Sequence, residues 1–78
     1  MITIVNEKDK QLNLKEMQSI VGGNIERYPD NVKIDGKSYD VIVNEEGLIN
    51  NLPINEDILD KFGITVFGNA ILIEGGLK

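Results

Sequence analysis

The sequence predicts a small α+β domain, in which an antiparallel or mixed sheet is packed by one main short helix and a second short helix. Three observations lead to this fold class. One segment repeats apolar residues at helical spacing, several short segments are β-branched, and an Asp-Gly pair joins two of them. Because helices and strands alternate without a dividing linker, we expect one domain that spans residues 1–78.

The main helix is predicted to begin after Asn13 and to end before Gly22. Asn13 is a good N-cap, and Glu16 stands three residues later, as in a capping box. Gly22 enters the left-handed conformation that ends a helix without steric cost. Four apolar residues share one face of this helix: Leu14, Met17, Ile20 and Val21.

Strands are predicted at residues 2–5, 24–28, 32–34, 38–44 and, as a short one, from Leu48-Ile49. The pair Asp35-Gly36 predicts a tight hairpin, because a type I′ turn needs two residues with positive φ. On the strand after it, Tyr39, Val41 and Val43 share a face that we expect to form the core.

The second helix is predicted over residues 56–62, with Asn55 as its N-cap. One strand or a pair of strands should follow over residues 64–74, with a bulge or tight turn at Gly68-Asn69. Residues 75–78 are expected to form a loose tail.

Composition excludes several classes of function. The 78 residues carry a net charge of -5 and contain neither His nor Cys. Disulfides, thiolate nucleophiles and Cys-ligated zinc are therefore excluded, as is catalysis by a Ser-His-Asp or Cys-His arrangement. We expect a protein that is not an enzyme and that has no cofactor and no metal site.

Partners and location follow from charge and hydropathy. The longest apolar run, residues 70–73, is far shorter than the ~20 residues that span a membrane. The first five residues have no basic region and are too short for a signal peptide, so we expect a cytoplasmic protein. Because the few basic residues are scattered, direct nucleic-acid binding is not expected. The acidity is that of an ordinary soluble protein rather than of a nucleic-acid mimic.

Six residues are candidates for a binding surface: Glu26, Tyr28, Asn44, Glu45, Glu46 and Asn55. The segment 44–47 is the densest polar cluster, and it is either a solvated turn, a recognition loop or a metal or catalytic site. The amide-rich segment 50–55 suits hydrogen bonding to a base or a peptide, although Asn55 is also explained as an N-cap. Tyr28 lies at a strand end beside a proline, so burial of its ring in the core is less strongly expected.

The Val21-Gly22-Gly23 sequence is similar to part of a glycine-rich phosphate loop. Such loops place their glycines before a helix, whereas here they follow one. The glycines are therefore interpreted as a helix end and a sharp entry to the next strand.

Four motifs occur in order along the chain: VGGNIE at 21–26, VNEEG at 43–47, LPIN at 52–55 and FGNAIL at 67–72. Over about residues 14–74 the sequence resembles a small domain of unknown function that is common in bacteriophages, plasmids and integrated elements. Members of that family typically have an aromatic residue where this chain has Asn24, so a partner surface that includes the ring would differ here. The resemblance implies a mobile-element origin and carries no catalytic residues.

Two hypotheses about function remain from different classes. The first is a non-catalytic binding protein that engages or inhibits a host protein, such as a nuclease or another defence factor. In that case Asp40, Glu45 and Glu46 would complement a basic nucleic-acid channel. The alternative is a homo-oligomer that sequesters a small nucleotide-like ligand, since one short chain has little room for a pocket of ~300 Å³. A structural or transcriptional accessory role also stays open.

Overall fold

The computed structural model describes residues 1–76. The elements in chain order are β1 (Ile2–Val5), α1 (Leu14–Val21), β2 (Ile25–Arg27), β3 (Val32–Ile34), β4 (Lys37–Asn44), α2 (Glu56–Phe62) and β5 (Ala70–Glu74). Five strands form one mixed sheet with two helices, so the predicted α+β class is confirmed.

The sheet is built around β4 and β5. Its order is β1-β5-β4-β2, and β3 also pairs with β4. Strand β1 runs parallel to β5, whereas every other pairing is antiparallel. Strands β2 and β3 occupy the same side of β4 at its two ends, because Arg27 lies opposite Ile42 and Val32 lies opposite Tyr39. Together they form one edge that is interrupted at residues 29–31.

Local sequence signals set the two helices and the hairpin as predicted. Asn13 and Glu16 form the full capping box of α1, and Gly22 ends the helix with a φ of 83°. Asn55 caps α2 through its side-chain oxygen. In the hairpin between β3 and β4, Asp35 and Gly36 have φ values of 49° and 80°, as a type I′ turn requires.

The core lies on both faces of the sheet. On one face Tyr39, Val41 and Val43 pack with Ile58 of α2, which confirms the predicted core side of β4. On the other face Ile42, fully buried, packs with α1. The two predicted helices therefore cover opposite faces of the sheet. Two covered faces explain the continuous apolar sequence at the start of β5, because a strand buried on both sides has no solvent-facing position.

One apolar position of α1 was predicted wrongly. Met17 and Val21 are buried, but Leu14 is 56% exposed in the first turn. Leu12, before the N-cap, packs against the same cluster as Met17. These two residues occupy the N′ and N4 positions of a hydrophobic staple, so the chain entering the helix supplies the contact expected from Leu14.

Two strand predictions also need correction. Leu48-Ile49 lies in a turn, and both side chains are exposed. The last strand begins at Ala70 rather than at residue 64, because Gly68 adopts a φ of 82° and bends the chain. Before that bend, Phe67 makes only an isolated bridge with Ile54.

The C-terminal prediction is only partly covered by the structure. Within the predicted tail, the Gly75 amide donates to the Ser38 carbonyl and the Gly76 amide donates to the Ile73 carbonyl. Residues 77 and 78 lie outside the described part of the chain. Among residues 1–76, neither helix has the length and apolar character needed to cross a membrane.

Candidate functional site

Asn44 joins the first two sequence motifs. It ends β4 and is only 6% exposed. Its side-chain Nδ2 donates to the Val21 carbonyl at 3.1 Å, and its Oδ1 accepts from the Glu46 amide at 2.7 Å. A Cβ atom on Gly23 would lie 2.9 Å from Nδ2, so the glycine leaves room for the amide. The end of α1 and the turn after β4 are thereby held together.

Asn55 joins the third and fourth motifs in the same way. It is 3% exposed, and its Oδ1 caps α2 by accepting from the Ile58 amide at 3.1 Å. Its Nδ2 donates to the carbonyls of Gly68 at 2.8 Å and Met1 at 3.0 Å. One side chain therefore connects α2, the bend before β5 and the start of β1.

Asn69 is a third amide of this kind, which the sequence predicts only as part of a bulge or tight turn. Its Nδ2 donates to the Ile20 carbonyl at 3.1 Å, which ties the bend before β5 to the last turn of α1. Among the described residues, every buried side-chain nitrogen or oxygen has a hydrogen-bond partner. The three asparagines accordingly have a structural role that is sufficient to explain their presence in the motifs.

A cleft of about 250 Å³ lies on the α2 side of the sheet, at the edge formed by β2. We refer to it as the Tyr28 cleft. It is lined by Glu26, Tyr28 and Pro29, by the segment 43–48 except Glu46, and by the segment 65–67. Glu26 lies opposite Val43 in the ladder, and the Tyr28 amide donates to the Val41 carbonyl at 2.8 Å, so both side chains project on this face.

Four of the six predicted binding residues line the Tyr28 cleft: Glu26, Tyr28, Asn44 and Glu45. The carboxylates of Glu26 and Glu45 are exposed, whereas Tyr28 is half-buried and packs against the core. Glu46 is exposed beside the cleft and does not line it.

Asn55, the sixth predicted binding residue, and Asp40, part of the expected acidic surface, lie elsewhere. Asn55 lines a separate cleft of about 230 Å³ near Met1. Asp40 is on the α1 side of β4, where its side chain is 14% exposed and lies 4.0 Å from Arg27. The expected acidic surface of Asp40, Glu45 and Glu46 is therefore not continuous.

Comparison with known sequences places the chain in a family. Residues 2–76 match the sequence profile of a domain of unknown function, DUF3846. The chain belongs to the DUF3846 family. This confirms the resemblance to an uncharacterised domain family. No match was found among curated proteins or among solved structures.

The side chains around the Tyr28 cleft indicate which chemical groups this DUF3846 domain could contact there. Within residues 1–76, no group of three His, Cys, Asp or Glu side chains could hold a metal ion. Among the described residues, the lining of the Tyr28 cleft combines the aromatic rings of Tyr28 and Phe67, apolar side chains and two carboxylates, without Lys or Arg. Such a lining suits an apolar group that carries positive charge.

Sequence reasoning missed two residues at this end of the DUF3846 domain. Leu48 is 68% exposed and Ile49 is 76% exposed, and both lie in the turn that borders the Tyr28 cleft. The sequence analysis predicts a short strand from Leu48-Ile49 instead. Their position directly after Glu45-Glu46-Gly47, without the alternation typical of a strand, was the signal for an exposed turn.

Proposed function

We propose that this DUF3846 domain is a non-catalytic binding module that engages another protein through the Tyr28 cleft and the turn beside it. The observation that supports the proposal is the grouping of exposed apolar side chains with carboxylates at one place. Leu48 and Ile49 are largely exposed, and Glu26 and Glu45 lie at the adjacent cleft. Apolar anchors within a polar rim are typical of protein interfaces.

Charge indicates the kind of partner. The chain has a net charge of -5, and within residues 1–76 the cleft lining has two carboxylates and no cation. A basic partner surface would be attracted over long range and would place Lys or Arg side chains beside Tyr28. The nucleic-acid channel of a host nuclease or of another defence factor has this character.

The biological setting belongs to the same proposal. The family resemblance favours a protein of a phage or another mobile element, acting in the cytoplasm of a bacterial host. Inhibition of a host defence protein would then follow from occupying its basic channel. The mobile-element setting and the inhibition of a host defence protein are inferred from the family resemblance, whereas the binding surface is inferred from the geometry of the Tyr28 cleft and its turn.

Capture of partners from a bacterial lysate tests the proposal, with matched variants as controls. Glu45→Lys and Leu48→Ser change the cleft and its turn, whereas Asp60→Lys and Leu14→Ser make the same changes at exposed positions of the helices. We expect the first pair to lose the captured protein and the second pair to retain it. Equal capture by all four variants would exclude this surface.

The alternative proposal is sequestration of a small nucleotide-like ligand by a homo-oligomer. The Tyr28 cleft, at about 250 Å³, is below the ~300 Å³ of ordinary ligand sites, so a ligand site at this cleft would need a second chain to complete it. Native mass spectrometry of the purified protein distinguishes the two proposals. A mass above a multiple of 8.7 kDa would indicate a retained ligand, whereas a clean multiple would favour the protein partner.

A further inference from the structure

The outer side of β1 is an open edge of the sheet. Strand β1 pairs only with β5, and no other strand of residues 1–76 lies beside it. An open edge presents backbone N–H and C=O groups to any strand that can approach. The backbone N–H and C=O groups of β1 that point away from β5 determine what could pair with this edge.

The register with β5 identifies the open groups. The Met1 carbonyl accepts from the Ala70 amide at 3.1 Å, so the backbone groups of residue 1 point toward β5. Because these groups alternate along a strand, those of Thr3 and Val5 also point toward β5. The N–H and C=O groups of Ile2 and Ile4 therefore point outward.

The chain itself closes the end of this edge. The next outward residue is Asn6, whose amide donates to Asp9 Oδ2 at 2.8 Å and whose carbonyl accepts from the Asp9 amide at 2.9 Å. The open stretch is thus limited to Ile2 and Ile4, with two donors and two acceptors.

The two edges of the sheet differ in their protection. The edge formed by β2 and β3 is interrupted by Pro29 and carries Glu26, Arg27 and Lys33. Proline and charge are common means of preventing strand addition. Strand β1 has neither, and Ile4 is 46% exposed.

We propose that this edge pairs with β1 of a second copy of the chain, antiparallel and centred on Thr3. In that register Ile2 lies opposite Ile4 of the second copy, and each such pair exchanges two hydrogen bonds. All the outward donors and acceptors of both chains are then used. A shift that places Ile4 opposite itself would pair Ile2 with Asn6, whose groups Asp9 already occupies.

Side chains and charge favour a second copy as the occupant. Ile2 and Ile4 lie opposite Ala70 and Leu72 in the ladder, so both face the α2 side of the sheet. Pairing covers the exposed Ile4 with Ile2 of the second copy. Since Ile2–Val5 include no charged side chain, the paired strands place no like charges directly opposite each other.

The pairing has a consequence for the overall arrangement, although it does not depend on the proposed function. Two five-stranded sheets would join into one continuous sheet, with β2 of each copy at an outer end. The two Tyr28 clefts would then lie far apart at opposite ends, which gives a bivalent protein.

Sedimentation velocity of the full chain tests the proposal from about 1 μM to about 1 mM, the range of weak to moderate association. We expect a concentration-dependent shift from 8.7 kDa to twice that mass. Ile4→Lys should abolish this concentration-dependent increase in mass. Ile4→Pro should do the same, because proline removes the outward N–H of residue 4, which does not take part in the pairing with β5. Ile54→Lys is the matched control, since Ile54 is also 46% exposed, and it should retain the dimer.

A cysteine cross-link tests the register directly. Thr3 would lie opposite Thr3 of the second copy as a non-hydrogen-bonded pair, with Cα atoms about 4.5 Å apart, which suits a disulfide. Because the chain has no Cys, Thr3→Cys should give a covalent dimer on mild oxidation, and Ser19→Cys on the exposed side of α1 should remain mostly monomeric.

Two results would overturn the proposal. One is a wild-type protein that stays monomeric throughout the concentration range. The other is a dimer that Ile4→Lys and Ile54→Lys leave equally intact, because association would then use another surface.

Discussion

Replacement of Asn55 by alanine tests how the sequence motifs hold the fold together. The side chain is buried and makes three hydrogen bonds, to the Ile58 amide and to the carbonyls of Met1 and Gly68. Asn13 offers a matched control, because it caps the other helix while its exposed side chain accepts a hydrogen bond from the Glu16 amide of that same helix. Asn55→Ala and Asn13→Ala therefore remove the same kind of cap in different surroundings.

The expected losses of unfolding free energy for Asn55→Ala and Asn13→Ala differ by about threefold. Loss of an N-cap costs about 1 kcal/mol, which is the whole expectation for Asn13→Ala. Asn55→Ala also loses two hydrogen bonds to main-chain carbonyls at about 1 kcal/mol each, for a total of about 3 kcal/mol. A chain of this length has an unfolding free energy of about 4–12 kcal/mol, so Asn55→Ala should remove a large part of it.

Urea unfolding, followed by circular dichroism at low protein concentration, measures the difference. With a slope of about 1 kcal/mol per M, the midpoint should fall by about 3 M for Asn55→Ala and by about 1 M for Asn13→Ala. Asn55→Asp keeps the cap but loses both donors, so it should also destabilise the protein by about 2 kcal/mol or more. Equal midpoints for Asn55→Ala and Asn13→Ala would refute the idea that the amide connects distant segments.

Three further predictions concern the core, the bends and the cleft. Ile42→Ala, at a fully buried position facing α1, should lower the unfolding free energy by about 2–5 kcal/mol in the same assay, and a loss below about 1 kcal/mol would contradict that packing. Gly68→Ala should destabilise more than Gly36→Ala: both have positive φ, but a Cβ on Gly68 would lie 2.8 Å from Leu52, whereas one on Gly36 meets open space. Equal losses would show that the close approach to Leu52 has no cost. Leu48→Ser should change stability by less than about 0.5 kcal/mol, so any loss of partner capture by that variant can be assigned to the surface.

The four sequence motifs of this chain carry more structural than chemical information. Asn44, Asn55 and Asn69 each donate a side-chain hydrogen bond to a main-chain carbonyl in another part of the fold. Amide side chains suit this task because they donate and accept without carrying charge into the core. The residues with exposed functional groups at the proposed surface, such as Glu45 and Leu48, lie between or beside these anchors.

The sequence by itself determined the elements whose signals are local. The capping box of α1, the cap of α2 and the Asp35-Gly36 turn each depend on residues within a few positions of one another. The same holds for the alternation of β4, which identified the face that packs against α2. In these cases the competing conformations are excluded by nearby backbone and side-chain atoms, so no distant contact is needed.

Only the tertiary structure decided the features that depend on distant contacts. The Asn55 amide reaches Met1 across 54 positions, and the parallel pairing of β1 with β5 joins the two ends of the chain. A buried asparagine and an exposed asparagine have the same local sequence pattern. The sequence therefore could not decide whether the Asn55 side chain is buried and connects segments of the fold or is exposed and available for binding. Leu48-Ile49 is the converse case. Within residues 1–76 no strand lies beside this segment to pair with it, so its β propensity is overridden and two apolar side chains remain in solvent beside the cleft.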